Sequence, residues 1–390
     1  MAKGKRRADG EGSLWYHEDR KRWVAECKGQ RKFAKTKSEA AAILRQLMKT
    51  GPLVNAQGSL AEWLETWLAS KVKLAPGTRC LYEGVIRGHL LPAIPDVWPG
   101  GKVAMGKLNL VMLQKLITHK DQDPQLGPAR IHHIRVVLSS ALGKAAKARI
   151  IEQNFALDLE CRPIEKRSDD AWPRFEQSMR LLERLKDHPH GCLFTMSLTT
   201  GMRRGEVLGV RWSDLVFDPR PTYSTVTVRQ NLQYEGRRGA EKGRLYIKRP
   251  KSNKFRTIVL SELLVPMLKA HRTRQLEQRL KVGPQVWQGN DGEFADLVFT
   301  NGEGGPLWPD KVGKWFRRLR SEVGLDKTRL HDLRHGAASL ALRAKANMKH
   351  IQVMMGHAKI GTTFDVYGHL EEEAQRQVAA QMDKLFSQQG

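Results

Sequence analysis

The sequence predicts a multidomain chain, mainly α-helical with small β-sheets. Three observations lead there. At 390 residues the chain is long for one hydrophobic core. Two stretches, Thr50–Gly58 with Gly51, Pro52, Asn55 and Gly58, and the polar Leu159–Pro173 with Pro163 and Pro173, have linker composition and divide it into three parts. The apolar period is two at the N-terminus, close to 3.6 in the middle, and mixed at the end. The expected domains are therefore 1–50, a three-stranded sheet with a helix; 59–157, a helical bundle; and 174–390, a mixed α+β domain with a C-terminal tail helix.

In the first part, Ser13–His17, Arg22–Glu26 and Arg31–Lys35 have strand character, and Glu18-Asp19 and Gly29 punctuate them. A helix should follow from about Ser38, because Ala40, Ile43, Leu44 and Leu47 share one helical face. In the second part, Ser59 and Glu62 form a capping box ahead of the apolar stripe Leu60, Trp63, Leu64, Trp67 and Leu68. A second helix starts near Thr78 and should stop before Pro92, and a third starts at the N-cap Asn109. A fourth follows Pro128, with Ile131, Ile134, Val137, Leu138, Ala141 and Leu142 as its buried face and His132, Arg135 and Lys144 pointing elsewhere. The third part should start helical, over Met179, Leu181, Leu182 and Leu185. Strands should form over Ser224–Arg229, Leu245–Lys248 and Thr257–Leu260, and helices close the chain.

Charge narrows the partners. Lys and Arg number 67 against 41 acidic residues, a formal net charge of +26, with an isoelectric point near 10.1. Such a surface suits a polyanion, because neutralising phosphates releases condensed counterions. No stretch has the basic amphipathic character of a membrane-surface helix, and no apolar run approaches the length of a membrane span. Cys27, Cys80, Cys161 and Cys192 stand far apart, with no CxxC pair, so neither a zinc knuckle nor a disulfide framework is indicated. The N-terminus lacks the apolar core of a secretory signal, so a protein that works in a cytoplasm is expected.

The last part carries the chemistry. Thr200-Gly201-Met202-Arg203-Arg204-Gly205-Glu206 opens it; His331-Asp332-Leu333-Arg334-His335, Gly356-His357 and Tyr367 come near its end. Two guanidinium forks match the non-bridging oxygens of a phosphodiester and the charge that grows on them in a pentavalent transition state. Histidines add hydrogen bonds or move protons, and a tyrosine hydroxyl is a nucleophile. Taken singly, each element also has a plain structural reading: solvated arginines, a packed tyrosine, a chance HxxR. His331 and His335 sit at a metal-compatible spacing, but HExxH is absent and no third ligand is evident.

Order and spacing change the balance. Thr-Gly-x-Arg, then Pro-Lys beside a strand, then His-x-Leu-Arg-His, then Gly-His, then Tyr ten residues on, resembles the tyrosine recombinase family of lambda-type phage and transposon integrases. The resemblance is specific over 174–390. It extends more loosely to 59–157, similar to a helical core-site-binding domain, and to 1–50, similar to a three-stranded arm-binding domain. It implies that Arg203 binds phosphate, with Arg204 left outside catalysis, and that Glu206 supports and orients the site. Lys251 would protonate the leaving 5′ oxygen, with Lys248 and Lys254 as neighbouring alternatives. His331, Arg334 and His357 complete the constellation around the nucleophile Tyr367. It further implies cleavage and rejoining through a 3′-phosphotyrosyl link without ATP, metal or other cofactor, and strand exchange through a Holliday junction in a homotetramer on double-stranded DNA bearing core and arm sites. A host DNA-bending factor and an excisionase are the accessory partners it suggests. In the tail, Val378, Met382, Leu385 and Phe386 form an apolar face that packs either on its own domain or, as the family suggests, on a neighbouring protomer.

Two rival readings share the charge. A type IB topoisomerase has the same chemistry as a monomer, but the arm-like module and apolar tail favour an integrase. A catalytically silent DNA-binding protein needs no tyrosine ten residues after a histidine.

Overall fold

In the computed structural model the described residues are 12–27, 30–50, 58–164, 172–220, 223–236, 243–249, 255–356 and 382, with the side chains of 30 and 46–50 left aside. The chain divides into two compact units, Met1–Glu165 and Lys166–Gly390, and the division falls inside the predicted second linker.

The first unit opens with an antiparallel sheet, β1 (Ser13–His17), β2 (Arg22–Cys27) and β3 (Gln30–Ala34), in the order β1-β2-β3. Its register pairs Trp15 with Val24 and Val24 with Phe33. Helix α1 (Lys37–Thr50) buries Ala40 and Leu44 beside Ala25 and Cys27. Cations line the aromatic side chains of this sheet: the Arg20 guanidinium lies 5.0 Å from the Phe33 ring, Arg31 5.4 Å from Trp15, and the Lys37 ammonium 5.3 Å from Trp23. Such stacking holds long basic side chains extended without neutralising them.

The rest of the first unit is a helical bundle. In α2 (Leu60–Ala69) the capping box forms: the Ser59 N–H donates to Glu62 Oε2 at 2.8 Å and the Glu62 N–H donates to Ser59 Oγ at 3.3 Å. Leu60, Leu64, Trp67 and Leu68 are buried as the stripe requires, and Trp63, half-buried, donates from Nε1 to the Ala141 carbonyl at 3.1 Å. Helices α5 (Leu110–Asp121, capped by the Asn109 side chain) and α6 (Pro128–Lys147) complete the core, and the predicted face of α6 is buried with Ala145 added. Arg135, on the other side, reaches the Leu157 carbonyl at 2.7 Å, so it holds the chain after α6 in place as well as carrying charge.

One boundary differs from expectation. The helix that begins with α3 (Pro76–Val85) does not stop before Pro92. It passes through a π-helical turn, Ile86–Leu90, into α4 (Leu91–Val97), which holds Pro92 in its first turn and Pro95 inside it. In the π turn the Leu91 N–H reaches back five residues to Ile86. The extra residue widens the turn where the Pro92 ring would meet the preceding carbonyls, and keeps both prolines on the exposed side while Ile86, Leu90, Ala93 and Ile94 stay buried. The predicted second linker is also shorter than its composition suggests. Leu159 is buried in the bundle, and Arg162 binds Asp121 at 2.7 Å and the Leu126 carbonyl at 3.0 Å.

The second unit is built around α8 (Gly191–Thr200), a helix without charged residues that has nine buried residues, which α7 (Phe175–Leu185), α10 (Leu264–Val282) and α12 (Asp332–Arg343) pack around. Leu181 and Leu185 of α7 face this core, whereas Met179 is 49% exposed. Its position on the helix lies to the solvent side of the Leu181–Leu185 line. Two small sheets flank the helices. One joins β4 (Leu215–Val216), β5 (Thr225–Val228) and β8 (Arg256–Val259) in the order β4-β5-β8. The other is the hairpin of β6 (Asn231–Glu235) and β7 (Arg244–Lys248), of which β6 was not legible in the sequence. Helices α9 (Arg204–Leu208), α11 (Pro309–Glu322) and α13 (Met348–Met355) fill the remaining faces.

His190, at the start of α8, stacks on Trp315 with ring centroids 3.5 Å apart and planes 15° apart. Burial, then the neighbouring His188, Lys311 and His271, pushes its pKa down to about 4. The neutral form is therefore favoured on folding, and the unfolded chain binds the proton more readily. Its contribution is complete above the ordinary histidine value of 6.5 and is lost as pH falls from there toward about 4. Thermal melts between pH 7 and pH 5 should show the midpoint of His190→Leu falling less steeply with acidification than that of the parent; equal slopes would exclude this group as a source of acid sensitivity. In the bundle, Ser59→Ala removes one half of the capping box and should lower stability by about 1 kcal/mol, read by urea unfolding.

Candidate active site

The site grows from the end of α8. The helix terminates at Gly201, whose φ of 63° is left-handed. A Cβ there would also lie 3.0 Å from the Met355 sulfur, so the position needs glycine both for its backbone conformation and for the approach of α13. The chain then extends through Met202 to Arg203, the N-cap of the short helix α9, so the Arg203 side chain leaves the core at a change of backbone direction. Gly205 in α9 lies under β6; a Cβ at that position would come within 2.5 Å of the Leu232 carbonyl oxygen. The Thr-Gly-Met-Arg-Arg-Gly-Glu segment is thus clamped between α13 on one side and the hairpin on the other.

Glu206 is the pivot of this segment. Its Oε2 accepts from the Arg203 N–H at 2.7 Å, and its Oε1 accepts from Arg203 Nη1 at 3.0 Å. The same two oxygens accept from Arg256, Nη1 to Oε1 at 3.1 Å and Nη2 to Oε2 at 2.6 Å. Arg256 Nε donates in addition to the Met354 carbonyl at 3.0 Å. Burial works against ionisation of Glu206, but the hydrogen bonds and charge of Arg256, followed by those of Arg203, outweigh it and hold the carboxyl below its usual range. The carboxylate that the sequence places beside Arg203 is therefore ionised and shared between two arginines.

Arg256 was missed by sequence reasoning. It stands fifty residues from Glu206 at the head of a strand, where a charged residue looks like ordinary solvated surface. The available signal was indirect: a carboxylate that enters a buried helix start requires cations to meet it.

Arg334 lies in the first turn of α12 and is 3% exposed. Its Nη1 donates to the Gly201 carbonyl and its Nη2 to the Met355 carbonyl. Those carbonyls stand two residues before Arg203 and two before His357, so this guanidinium ties the two motif segments together. His331 is the N-cap of the same helix. Burial, then the charge of Arg334, and further that of Arg203 and Arg204, lower its pKa against the opposing pull of Asp332, so it is neutral near pH 7. His335 is lowered in the same way, first by burial and then by His331. Their rings stand edge to face, 5.7 Å apart. No group of three or more His, Cys, Asp or Glu side chains suited to a metal ion occurs among the described residues.

Arg203, Glu206, Arg256 and His331 open on one cleft of about 1600 Å³, lined also by Arg204, Arg317, Arg320, Arg329 and Lys349. Glu206 is the acidic residue facing this set, and its charge is already matched inside the wall, so the cleft is strongly positive. Arg204, adjacent to Arg203, reaches the Pro309 carbonyl at 3.5 Å. Lys248 ends β7, whereas Lys251, Lys254, His357 and Tyr367 lie outside the described residues, as do Val378, Leu385 and Phe386 of the tail. Met382 of that tail is half-exposed.

Comparison with known proteins places the chain in a family. The sequence pattern of the phage integrase family matches residues 173–374. A tyrosine recombinase XerC-like protein of Caldanaerobacter subterraneus subsp. tengcongensis is 24% identical over 363 residues, covering 91% of each chain. The integrase of Mycobacterium phage L5 is 23% identical over 332 residues, covering 84% of this chain and 79% of its own. Among solved structures, the Tn1549 transposon integrase in complex with a circular intermediate DNA superposes with a TM-score of 0.64 at 18% identity, covering 82% of this chain and 99% of its own. A lambda integrase tetramer bound to a Holliday junction gives 0.54 at 16% identity, covering 89% and 95%. No helix among the described residues is long and apolar enough to cross a membrane. The clamped arginine turn, the neutral histidine and the positive cleft thus stand in a chain that belongs to the phage integrase family, a tyrosine site-specific recombinase acting on DNA.

Proposed function

We propose that this protein is an integrase that cuts and rejoins DNA through a covalent link to Tyr367, integrating a phage or other mobile element and, with accessory factors, excising it. The observation that carries the reading is the cleft wall itself: Arg203, held at its base by Glu206, beside neutral His331, in a cavity whose cations outnumber its acids. That arrangement suits one phosphodiester. Arg203 neutralises the non-bridging oxygens, and the charge it meets grows as the phosphorus becomes pentavalent. A neutral His331 can donate a hydrogen bond to a phosphate oxygen or accept a proton, whereas an imidazolium could only donate.

In this reading the Tyr367 hydroxyl attacks phosphorus, giving a 3′-phosphotyrosine and a free 5′ hydroxyl, with Lys251 delivering the proton to the leaving 5′ oxygen. Arg334 and His357 are assigned by motif to the phosphate as well. The bonds of Arg334 to Gly201 and Met355 give it a second task, fixing the chain ahead of both Arg203 and His357. One phosphodiester is exchanged for another, so the step stores its bond energy and reverses when a 5′ hydroxyl attacks the phosphotyrosine. Neither ATP nor a metal is required for that balance. The helical bundle of 59–157 and the basic, aromatic sheet module of 1–50 would hold core and arm sites, with 174–390 as the catalytic domain. The four-chain assembly on a Holliday junction seen for lambda integrase is the state in which strands would exchange.

The test is covalent trapping. Nicked suicide duplexes made from the DNA flanking the gene are mixed with the protein in EDTA without ATP and resolved on denaturing gels. The parent should form an adduct that peptide mass mapping places on Tyr367, and Tyr367→Phe should form at least about a thousandfold less. Arg203→Ala should slow adduct formation by about 10²–10³, the usual cost of one preorganised charge donor, while moving the DNA dissociation constant far less. An adduct that persists in Tyr367→Phe, or tight binding with no adduct from the parent, would overturn the reading and leave a DNA-binding protein.

A further inference from the structure

Arg203, Glu206 and Arg256 carry a net charge of one positive unit, and the geometry shows where that unit resides. Arg256 meets the carboxylate with both terminal nitrogens, at 3.1 and 2.6 Å, and its side chain is 14% exposed. Arg203 meets it with one terminal nitrogen at 3.0 Å, and its side chain is 46% exposed. The closer, two-pronged and more buried pair is the internal one. The remaining charge stands at the cleft.

We propose that Arg256 is a positioning residue for DNA cleavage: by satisfying Glu206 from behind, it leaves the Arg203 guanidinium oriented by the carboxylate but not neutralised by it. The physical problem it solves follows from burial. A carboxylate placed inside the wall orients Arg203 and its N–H, but alone it would cancel the charge that a phosphate needs, and a buried carboxylate with a single cation draws that cation inward. A second, dedicated cation removes the conflict. Arg256 is tied in place independently of Glu206, through Nε to the Met354 carbonyl, and Gly356 lies against its guanidinium, where a Cβ would come within 2.8 Å of Nη1. The same side chain therefore joins the start of β8, the root of α9 and the end of α13, immediately before His357. The proposal rests on the reading of Arg203 as a phosphate ligand.

Charge balance and mere packing predict different double mutants. The full chain, with Arg256→Met, Glu206→Gln, Arg256→Lys and Glu206→Gln/Arg256→Met variants, is titrated with an intact duplex from the gene's flank at several salt concentrations. In parallel, adducts are timed on the nicked form. Each phosphate neutralised contributes about 0.9 to the slope of log affinity against log salt. Arg256→Met should lose about one such increment and slow adduct formation by about a hundredfold. Adding Glu206→Gln removes the opposite charge, so the double variant should regain the slope and at least about tenfold of the rate. Arg256→Lys keeps the charge and should keep the slope while losing part of the rate through poorer orientation. Glu206→Gln alone should steepen the slope.

If Arg256 merely packs the wall, Glu206→Gln will not rescue Arg256→Met in either readout, and the proposal is overturned; an unchanged slope and rate in Arg256→Met would overturn it as well. Should Arg256→Met fail to fold in thermal melts, Arg256→Lys with an unchanged slope, together with the steeper slope of Glu206→Gln, carries the same decision, and a flat response in the latter refutes it. The slopes need no cleavage. Slopes that move as described while the parent forms no adduct would sink the phosphotyrosyl reading and leave the charge arrangement standing; the converse would do the reverse.

Discussion

The buried carboxylate of Glu206 is the constraint around which the second unit is organised. A charge that is mostly removed from water must be met within hydrogen-bond distance, and two arginines from separate elements meet it. This single requirement sets the start of α9, the head of β8 and, through the Met354 carbonyl, the end of α13. Arg334 repeats the device one layer deeper, with a guanidinium that donates to the carbonyls of Gly201 and Met355. The wall of the cleft therefore combines layered arginine contacts with core side chains such as Leu232 and Phe316, and the groups at its surface inherit fixed positions from those beneath.

That construction bears on the chemistry of phosphoryl transfer. A flexible arginine on an open surface loses rotamer freedom when it grips a phosphate, at a cost of up to about 2 kcal/mol. An arginine already hydrogen-bonded at its base loses less, and its charge acts without reorganisation as the transition state forms. His331 is prepared in a related way. Burial and the surrounding cations keep it neutral, so its state is set before DNA arrives. In a site with so many positive charges, a neutral histidine can both donate and accept a proton near pH 7.

The first unit works on a different principle. Its bundle core is apolar and regular, with ordinary caps and a continuous buried face on α6. The sheet module is small, with a core of Ala25, Cys27 and Leu44. Its character comes from cations laid over Trp15, Trp23 and Phe33, which stiffen basic side chains on a scaffold of few residues. Two ways of presenting positive charge thus occur in one chain: hydrogen-bonded from beneath at the cleft, ring-supported at the N-terminus.

Much of this could be read from the chain alone, wherever the determining forces are local. The three N-terminal strands, the Ser59–Glu62 box, the Asn109 cap and the face of α6 follow from side-chain period and capping chemistry acting within a few residues. The motif residues were likewise visible because their identities and order carry the resemblance. Long-range matters were not legible. Pro92 looked like a helix stop because proline's clash is local, and only packing against the bundle makes a π turn the better solution. Met179 belongs to a helix that the sequence marked, yet which of its sides meets the core was decided only by packing. β6 has no strong alternation and exists because β7 and α9 need a neighbour. Arg256 belongs to the same class. Its sequence surroundings are those of a solvated strand end, and its role as the second cation of Glu206 arises only when residues fifty positions apart are folded to within 3 Å. Sequence determined which groups the site contains; tertiary structure decided which of their charges cancel, because Coulomb and hydrogen-bond energies depend on distances that no local pattern encodes.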